Sequence, residues 1–280
     1  MTILLLLVPA GCIAAYFYLR NQITSHRPTN APTAQNREAL DITKTTLVCV
    51  GDSNTHGNVS YNWVDDLVSI YPNFQVVNAG VNADLTGTLL RRLDDTMACK
   101  PDFVTLLIGT NDIQSTMSAS QENRYRQMKK VDAGEVVNFN SFCENFNKII
   151  TRLKTETNAQ IAIFSLPILS ENLNHEANKK ADQYSDFIRQ IATQENLIYL
   201  PLRETQKSYL QQHPTQSKYN YEDTFRLMNF SILRNIFLKQ SWDEISTKHG
   251  FLLTPDNIHQ NSISGKMILD LVKKFIEKTN

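Results

Sequence analysis

Residues 45–53 read TTLVCVGDS. Thr45 to Val50 is a short, β-branched, apolar run, the pattern of a strand buried on both faces. It passes straight into Gly51-Asp52-Ser53, so a hydroxyl stands at the carboxyl end of the predicted strand.

The same punctuation recurs downstream. Asn62–Tyr71 has helical spacing, with Trp63, Leu67 and Ile70 on one face. Phe74–Asn78 reads as a second strand ending at Ala79-Gly80, and Leu85–Met97 as a helix with Leu89, Leu90 and Leu93 inward. Phe103–Ile108 is a third strand, ending at Gly109-Thr110-Asn111-Asp112. Ser141–Thr155 is a helix, Gln160–Ser165 a fourth strand, Ala177–Gln194 a long helix, Leu197–Leu200 a fifth strand and Ser262–Lys278 a last helix. This alternation predicts an α/β fold, a five-stranded parallel sheet with helices on both faces. Such sheets bind ligands beyond the carboxyl ends of their strands. The polar clusters after the first three strands all fall at that edge.

Two stretches exceed the minimal pattern. Residues 114–138 are polar, and residues 205–253 form an insertion-like region before the last helix. In the second, Phe225, Leu227, Met228, Ile232, Ile236 and Phe237 predict an amphipathic helix, either a wall or lid over the site or a helix packed on the core.

Ahead of the first strand the composition changes twice. Thr2–Leu19, TILLLLVPAGCIAAYFYL, carries no charge and as a helix would span roughly 27 Å, close to the thickness of a hydrocarbon core. Residues 1–20 are therefore expected to be a transmembrane or signal segment. An uncleaved anchor is favoured over a cleaved signal peptide that would leave a secreted or periplasmic protein. A lipoprotein signal at Cys12 is disfavoured by Pro9 and by the lack of basic residues before the run. Arg20 and Arg27 follow the run, which by the positive-inside rule would place the domain in the cytoplasm, whereas analogy with secreted hydrolases argues the other way. Residues 21–44 are polar and Pro-bearing and read as a tether.

Bulk chemistry excludes several classes. Lys+Arg and Asp+Glu both number 28, with no long basic run, which argues against a nucleic-acid partner. Cys12, Cys49, Cys99 and Cys143 are too scattered for a disulfide framework, and no Cys/His cluster suggests a metal. Cys49 reads as a core residue. No cofactor is expected.

The residues left over suit acyl transfer, which needs a nucleophile, a base, a group to orient the base, and donors for an oxyanion. Ser53 at the first strand end could be the nucleophile or a helix N-cap. Asp256 and His259, in TPDNIHQ, have a spacing that lets the carboxylate reach the imidazole, or they are a surface pair. Gly80 could offer an N–H or serve a turn. Asn111 could offer its carboxamide or cap a helix. His56 is too close to Ser53 along the chain to be the preferred base. His175, His213 and His249 are expected to be solvated, and Asp52 and Asp112 to orient loops. Asn58-Val59-Ser60 and Asn229-Phe230-Ser231 match the glycosylation pattern and are read as chance.

Taken together, GDS at 51–53, NAGVNADLTGTLLRRL at 78–93, GTND at 109–112 and DNIH at 256–259 resemble the four blocks of the SGNH/GDSL hydrolase family, in the family's order. The resemblance covers residue 45 to the C-terminus, apart from the insertions. It implies a three-layer, flavodoxin-like α/β/α fold in a domain of residues 45–280. It also implies Ser53 as nucleophile, Asp256 and His259 as the base pair, and Ser53, Gly80 and Asn111 as the oxyanion hole. The expected function is a serine esterase working through an acyl-enzyme on an acyl lipid or an O-acetylated glycan. An O-acyltransferase using the same site and a non-catalytic ligand-binding module are the alternatives. Asn54 stands where the family name has Leu, and Gln260 where many members carry Pro; neither position supplies a reacting group.

Overall fold

The computed structural model of the chain describes residues 21, 26–214 and 217–279. Five strands, β1 (Thr45–Gly51), β2 (Phe74–Gly80), β3 (Phe103–Leu107), β4 (Gln160–Phe164) and β5 (Ile198–Leu200), form one sheet. Every pair is parallel and the spatial order is β2-β1-β3-β4-β5. The expected α/β architecture is the observed one.

β1 shows why its sequence is apolar throughout. Successive side chains of a strand point to opposite faces. Val48 and Val50 enter a layer with Leu89, Phe142, Phe146 and Ile188, from helices Thr86–Arg91, Phe139–Glu156 and Glu176–Gln194. Leu47 and Cys49 enter the opposite layer with Trp63, Leu67, Val272 and Phe275, from helices Trp63–Ile70 and Ser262–Thr279. All four strand residues are at most 1% exposed. Burying a large apolar side chain contributes about 1.5–3 kcal/mol, so both layers demand apolar residues on this strand.

The strand order also locates the crevice. β1 lies between β2 and β3, so the chain leaves it in one direction and later returns on its other side. That is the topological switch point of a doubly wound sheet. Gly51 is in register with Gly80 of β2 and Leu107 of β3, so three strands end level and their loops share one opening.

Several local expectations change. The predicted helix over 85–97 is two helices, Thr86–Arg91 and Leu93–Met97. The break is at Arg92, whose guanidinium turns inward to the Asp84 carboxylate at 2.6 Å and the Gly51 carbonyl at 3.0 Å. Ile70 is 42% exposed and does not join Trp63 and Leu67 inside. In helix Thr224–Leu238, Leu227 and Ile232 are buried, whereas Phe225 and Phe237 are 40% and 52% exposed. This helix packs on the loop carrying Asp256: Ser231 Oγ donates to the Pro255 carbonyl at 3.3 Å, and Asn257 Nδ2 donates to Thr224 Oγ1 at 3.3 Å.

Part of the stretch read as a tether is packed. Asn78 N–H donates to the Asn30 carbonyl at 3.1 Å, and Asn30 Nδ2 donates to the Val76 carbonyl at 2.9 Å, so this segment satisfies the open edge of β2. The short helix Ala34–Glu38 follows. The expected transmembrane or signal segment, residues 1–20, lies outside the described residues. Among the described residues no helix is long and apolar enough to cross a membrane.

Candidate active site

The turn after β1 is built by its own polar groups. Asp52 Oδ1 accepts the N–H of Asn54 at 2.9 Å, so Asp52 caps the four-residue helix Ser53–His56. Ser53 is thereby the first helical residue and not the cap, which leaves its hydroxyl free of the helix. The outside of the turn is held by Ser60 Oγ on the Ser53 carbonyl at 3.0 Å and by Trp63 Nε1 on the Asn54 carbonyl at 2.7 Å.

His259 comes from 206 residues away. Its Nε2 lies 3.0 Å from Ser53 Oγ and its Nδ1 lies 2.7 Å from Asp256 Oδ2. The other carboxylate oxygen, Asp256 Oδ1, accepts the N–H groups of Ile258 at 3.1 Å and His259 at 2.9 Å. One oxygen is thus fixed by backbone and the other faces the ring. Nδ1 donates to Asp256, which leaves Nε2 as the acceptor facing the Ser53 hydroxyl. All three residues are buried. Burial opposes both charges, yet the pair outweighs it: the Asp256 carboxyl is held below its usual range, and the His259 imidazole is raised by the charge and hydrogen bond of Asp256 and by the charge of Asp52.

Asn111 lies inside helix Thr110–Ser115, whose N-cap is Gly109. Its Nδ2 donates to the Asp84 carbonyl at 2.9 Å and reaches Asp52 Oδ2 at 3.3 Å. Burial pushes the Asp52 carboxyl up to about 7, against the hydrogen bond from the Asn54 N–H. Asp112, as expected of a loop-orienting residue, accepts the N–H of Thr86 at 3.0 Å. Burial raises its carboxyl to about 6.

Gly80 does not meet its expectation. Its N–H donates to Asn78 Oδ1 at 3.0 Å, so it is unavailable to a ligand. A Cβ built there would stand 2.2 Å from the backbone nitrogen of His56, so the glycine lets β2 press against the Ser53 turn. The residue that sequence reasoning missed is Ala83. It adopts φ +61°, the left-handed region that alanine rarely enters. No acceptor among the described residues takes the backbone N–H of Ala83 or of Ser53. The turn carrying Ala83 also carries the Asp84 carbonyl bound by Asn111. It is pinned by the buried Asp84 carboxylate, which pairs with Arg92 and with Lys130 Nζ, each at 2.6 Å. The signal was present in NADL at 82–85, because Asn and Asp flank turns, but an alanine between them carries no mark of positive φ.

The other histidines divide. His56 is buried and stacked on His26 with ring centres 6.4 Å apart, whereas the imidazole at the Ser53 hydroxyl is that of His259. Burial and the charges of His26 and Arg27 lower its pKa to about 4. His213 is exposed and His175 is half-buried, where it caps helix Glu176–Gln194. His249, expected in solvent, is buried with Nδ1 2.7 Å from the Pro255 carbonyl, because the loop before Asp256 folds over it.

The chain matches the GDSL-like lipase/acylhydrolase family over residues 49–227. No curated protein matches it in sequence. Solved structures of similar fold include an acetyl xylan esterase, AlAXEase, at 17% identity and TM-score 0.59, covering 82% of this chain and 99% of that one. Axe2, an acetylxylan esterase from Geobacillus stearothermophilus, is similar at 16% identity and TM-score 0.56, covering 82% and 93%. LAE5, an alpha/beta hydrolase from the metagenome of Lake Arreo, Spain, is similar at 17% identity and TM-score 0.55, covering 82% and 94%.

Proposed function

This chain belongs to the GDSL-like lipase/acylhydrolase family and is a carboxylic ester hydrolase, and from that premise we propose that it works through an acyl-enzyme on Ser53. Ser53 Oγ attacks the acyl carbonyl as its proton passes to His259 Nε2. Asp256 stays charged, keeps the ring in one tautomer and stabilises the imidazolium. The oxyanion receives the N–H groups of Ser53 and Ala83 and one N–H of Asn111, which exchanges its long contact with Asp52 for the substrate oxygen. His259 then protonates the departing alkoxide. Water, activated by the same imidazole, releases the acid.

The observation that carries this reading is the continuous contact from Asp256 through His259 to Ser53, at 2.7 and 3.0 Å. The proposed domain runs from residue 45 to 280, because Asp256 and His259 lie beyond the matched segment and no catalytic base is proposed within it. We place acetyl esters of sugar hydroxyls first among substrates. What supports this is the similarity in fold to two acetyl xylan esterases.

The test is turnover of p-nitrophenyl esters from acetate to palmitate by wild type and Ser53→Ala, with mass spectrometry after exposure to a fluorophosphonate. Wild type should favour acetate and gain one phosphonyl group on Ser53. Ser53→Ala should lose at least about a thousandfold in kcat and stay unlabelled. Equal, slow release by both proteins would overturn the acyl-enzyme. Activity that rises with chain length would overturn the acetyl assignment and leave Ser53 in place.

A further inference from the structure

We propose that Tyr125 is a positioning residue for ester hydrolysis, its hydroxyl holding the Asn111 carboxamide with the nitrogen toward the Ser53 pocket. The inference rests on Asn111 as an oxyanion donor and extends it to a residue in the stretch that the sequence marks only as polar.

The two ends of a carboxamide are told apart by their partners. Asn111 Nδ2 faces the Asp84 carbonyl at 2.9 Å, and a carbonyl can only accept. The other end, Oδ1, is therefore an acceptor, and Tyr125 Oη stands 2.7 Å from it as the donor. The torsion that turns a carboxamide has broad, roughly two-fold preferences, so the amide by itself does not choose which end faces the ligand. The wrong choice would point an oxygen lone pair at the developing oxyanion. Asp84 and Tyr125 make that choice from opposite ends.

Tyr125 is placed for this and for little else. Helix Ala119–Gln127 has the sequence ASQENRYRQ, and Tyr125 is its one buried residue, at 4% exposure. The ring packs with Leu85 and Val131, and Ala83 of the turn that carries the Asp84 carbonyl lies against the same cluster. Burial raises the phenol well above its usual range, so the hydroxyl keeps its proton at any working pH. The hydroxyl also lies 2.8 Å from Gln114 Oε1, so its one proton sits between two acceptors. Asn111 is the one of the two that touches the proposed oxyanion site.

The experiment measures kcat, KM and thermal midpoint for Tyr125→Phe, Asn111→Ala, the double variant and Gln114→Ala, with p-nitrophenyl acetate. Tyr125→Phe removes only the oxygen. It should lower kcat about tenfold with KM and the acid limb of the pH profile unchanged. Asn111→Ala should cost about 100- to 1000-fold, and the double variant should be no slower than Asn111→Ala alone, because the two residues act through one group. Gln114→Ala should keep kcat within about twofold, since Asn111 retains its donor. A Tyr125→Phe enzyme with full kcat beside an impaired Asn111→Ala enzyme would overturn the role of Tyr125 and leave Asn111 standing. Additive losses, or a Gln114→Ala loss equal to that of Tyr125→Phe, would likewise overturn it in favour of packing. Full activity in Asn111→Ala would overturn the oxyanion reading beneath it.

Discussion

The carboxylate of Glu171 receives the backbone N–H of Leu253 at 2.7 Å across 82 residues of sequence. The same carboxylate takes the N–H groups of Leu252 and Thr254 at 2.8 and 3.1 Å. A single side chain therefore organises the approach to Pro255-Asp256, and Ser170 N–H adds a bond to the Asn257 carbonyl at 2.9 Å.

Truncating Glu171 strands three N–H donors at once. Glu171→Ala should lose about 3 kcal/mol of stability, since each unmet donor costs about 1–3 kcal/mol and water can reach part of the cluster. It should also lower kcat by letting Asp256 drift. Glu171→Gln retains an acceptor and should recover most of both. Urea unfolding and ester turnover check this, and an unaffected alanine variant would show that the loop holds its shape without the clamp.

Positions 80 and 83 should respond in opposite directions. Gly80→Ala drives a methyl into the His56 backbone and should cost at least about 1–3 kcal/mol with a matching fall in soluble yield. Ala83→Gly relieves the left-handed conformation at φ +61° and should gain up to about 1 kcal/mol while keeping kcat. Chemical denaturation of the two variants decides the matter. A Gly80→Ala protein as stable as wild type would contradict the packing of β2 on the Ser53 turn.

Activity should rise with pH through the His259 titration, because only the neutral imidazole accepts the Ser53 proton. Its pKa is raised above the usual value near 6.5, partly by Asp52. Asp52 carries its charge as pH rises through about 7, where that charge favours the imidazolium; Asp52→Asn removes it, so the upper part of the acid limb of kcat/KM should move to lower pH. A limb that stays put, or moves upward, would show that Asp52 does not act on His259 electrostatically.

Asp52 should also mark stability. Its folded pKa of about 7 stands above the unfolded value near 3.9, so its protonated form is the one that folding favours. That contribution is complete below the unfolded value and is lost as pH rises through about 7. The thermal midpoint of Asp52→Asn relative to wild type should therefore climb between pH 5 and pH 8. A pH-independent difference would rule out the buried ionisation.

Strand by strand, the fold was legible because burial on both faces leaves a mark on every residue. Leu47 to Val50 have no polar option, and the alternation with amphipathic helices follows from covering both sides. The Asp256–His259 spacing was legible too, since a three-residue turn is a local geometry. Local pattern failed where a long-range partner decides the outcome. Arg92 breaks a helix that its neighbours would continue, because Asp84 and Gly51 draw its guanidinium inward. His249 looks solvated in sequence and is buried by a loop that Glu171 folds.

For this chain, composition and periodicity alone determined a parallel α/β sheet, the edge at which a ligand would bind, and the strand ends that carry Ser53 and Asn111. Those properties depend on which side chains avoid water, and that is written residue by residue. Which N–H groups stand unpaired was decided only in three dimensions. Gly80 and Ala83 differ in this respect because Asn78 happens to reach one and no acceptor among the described residues reaches the other. The orientation of Asn111 was likewise set by Tyr125 and Asp84, whose hydrogen bonds exist only once distant turns meet.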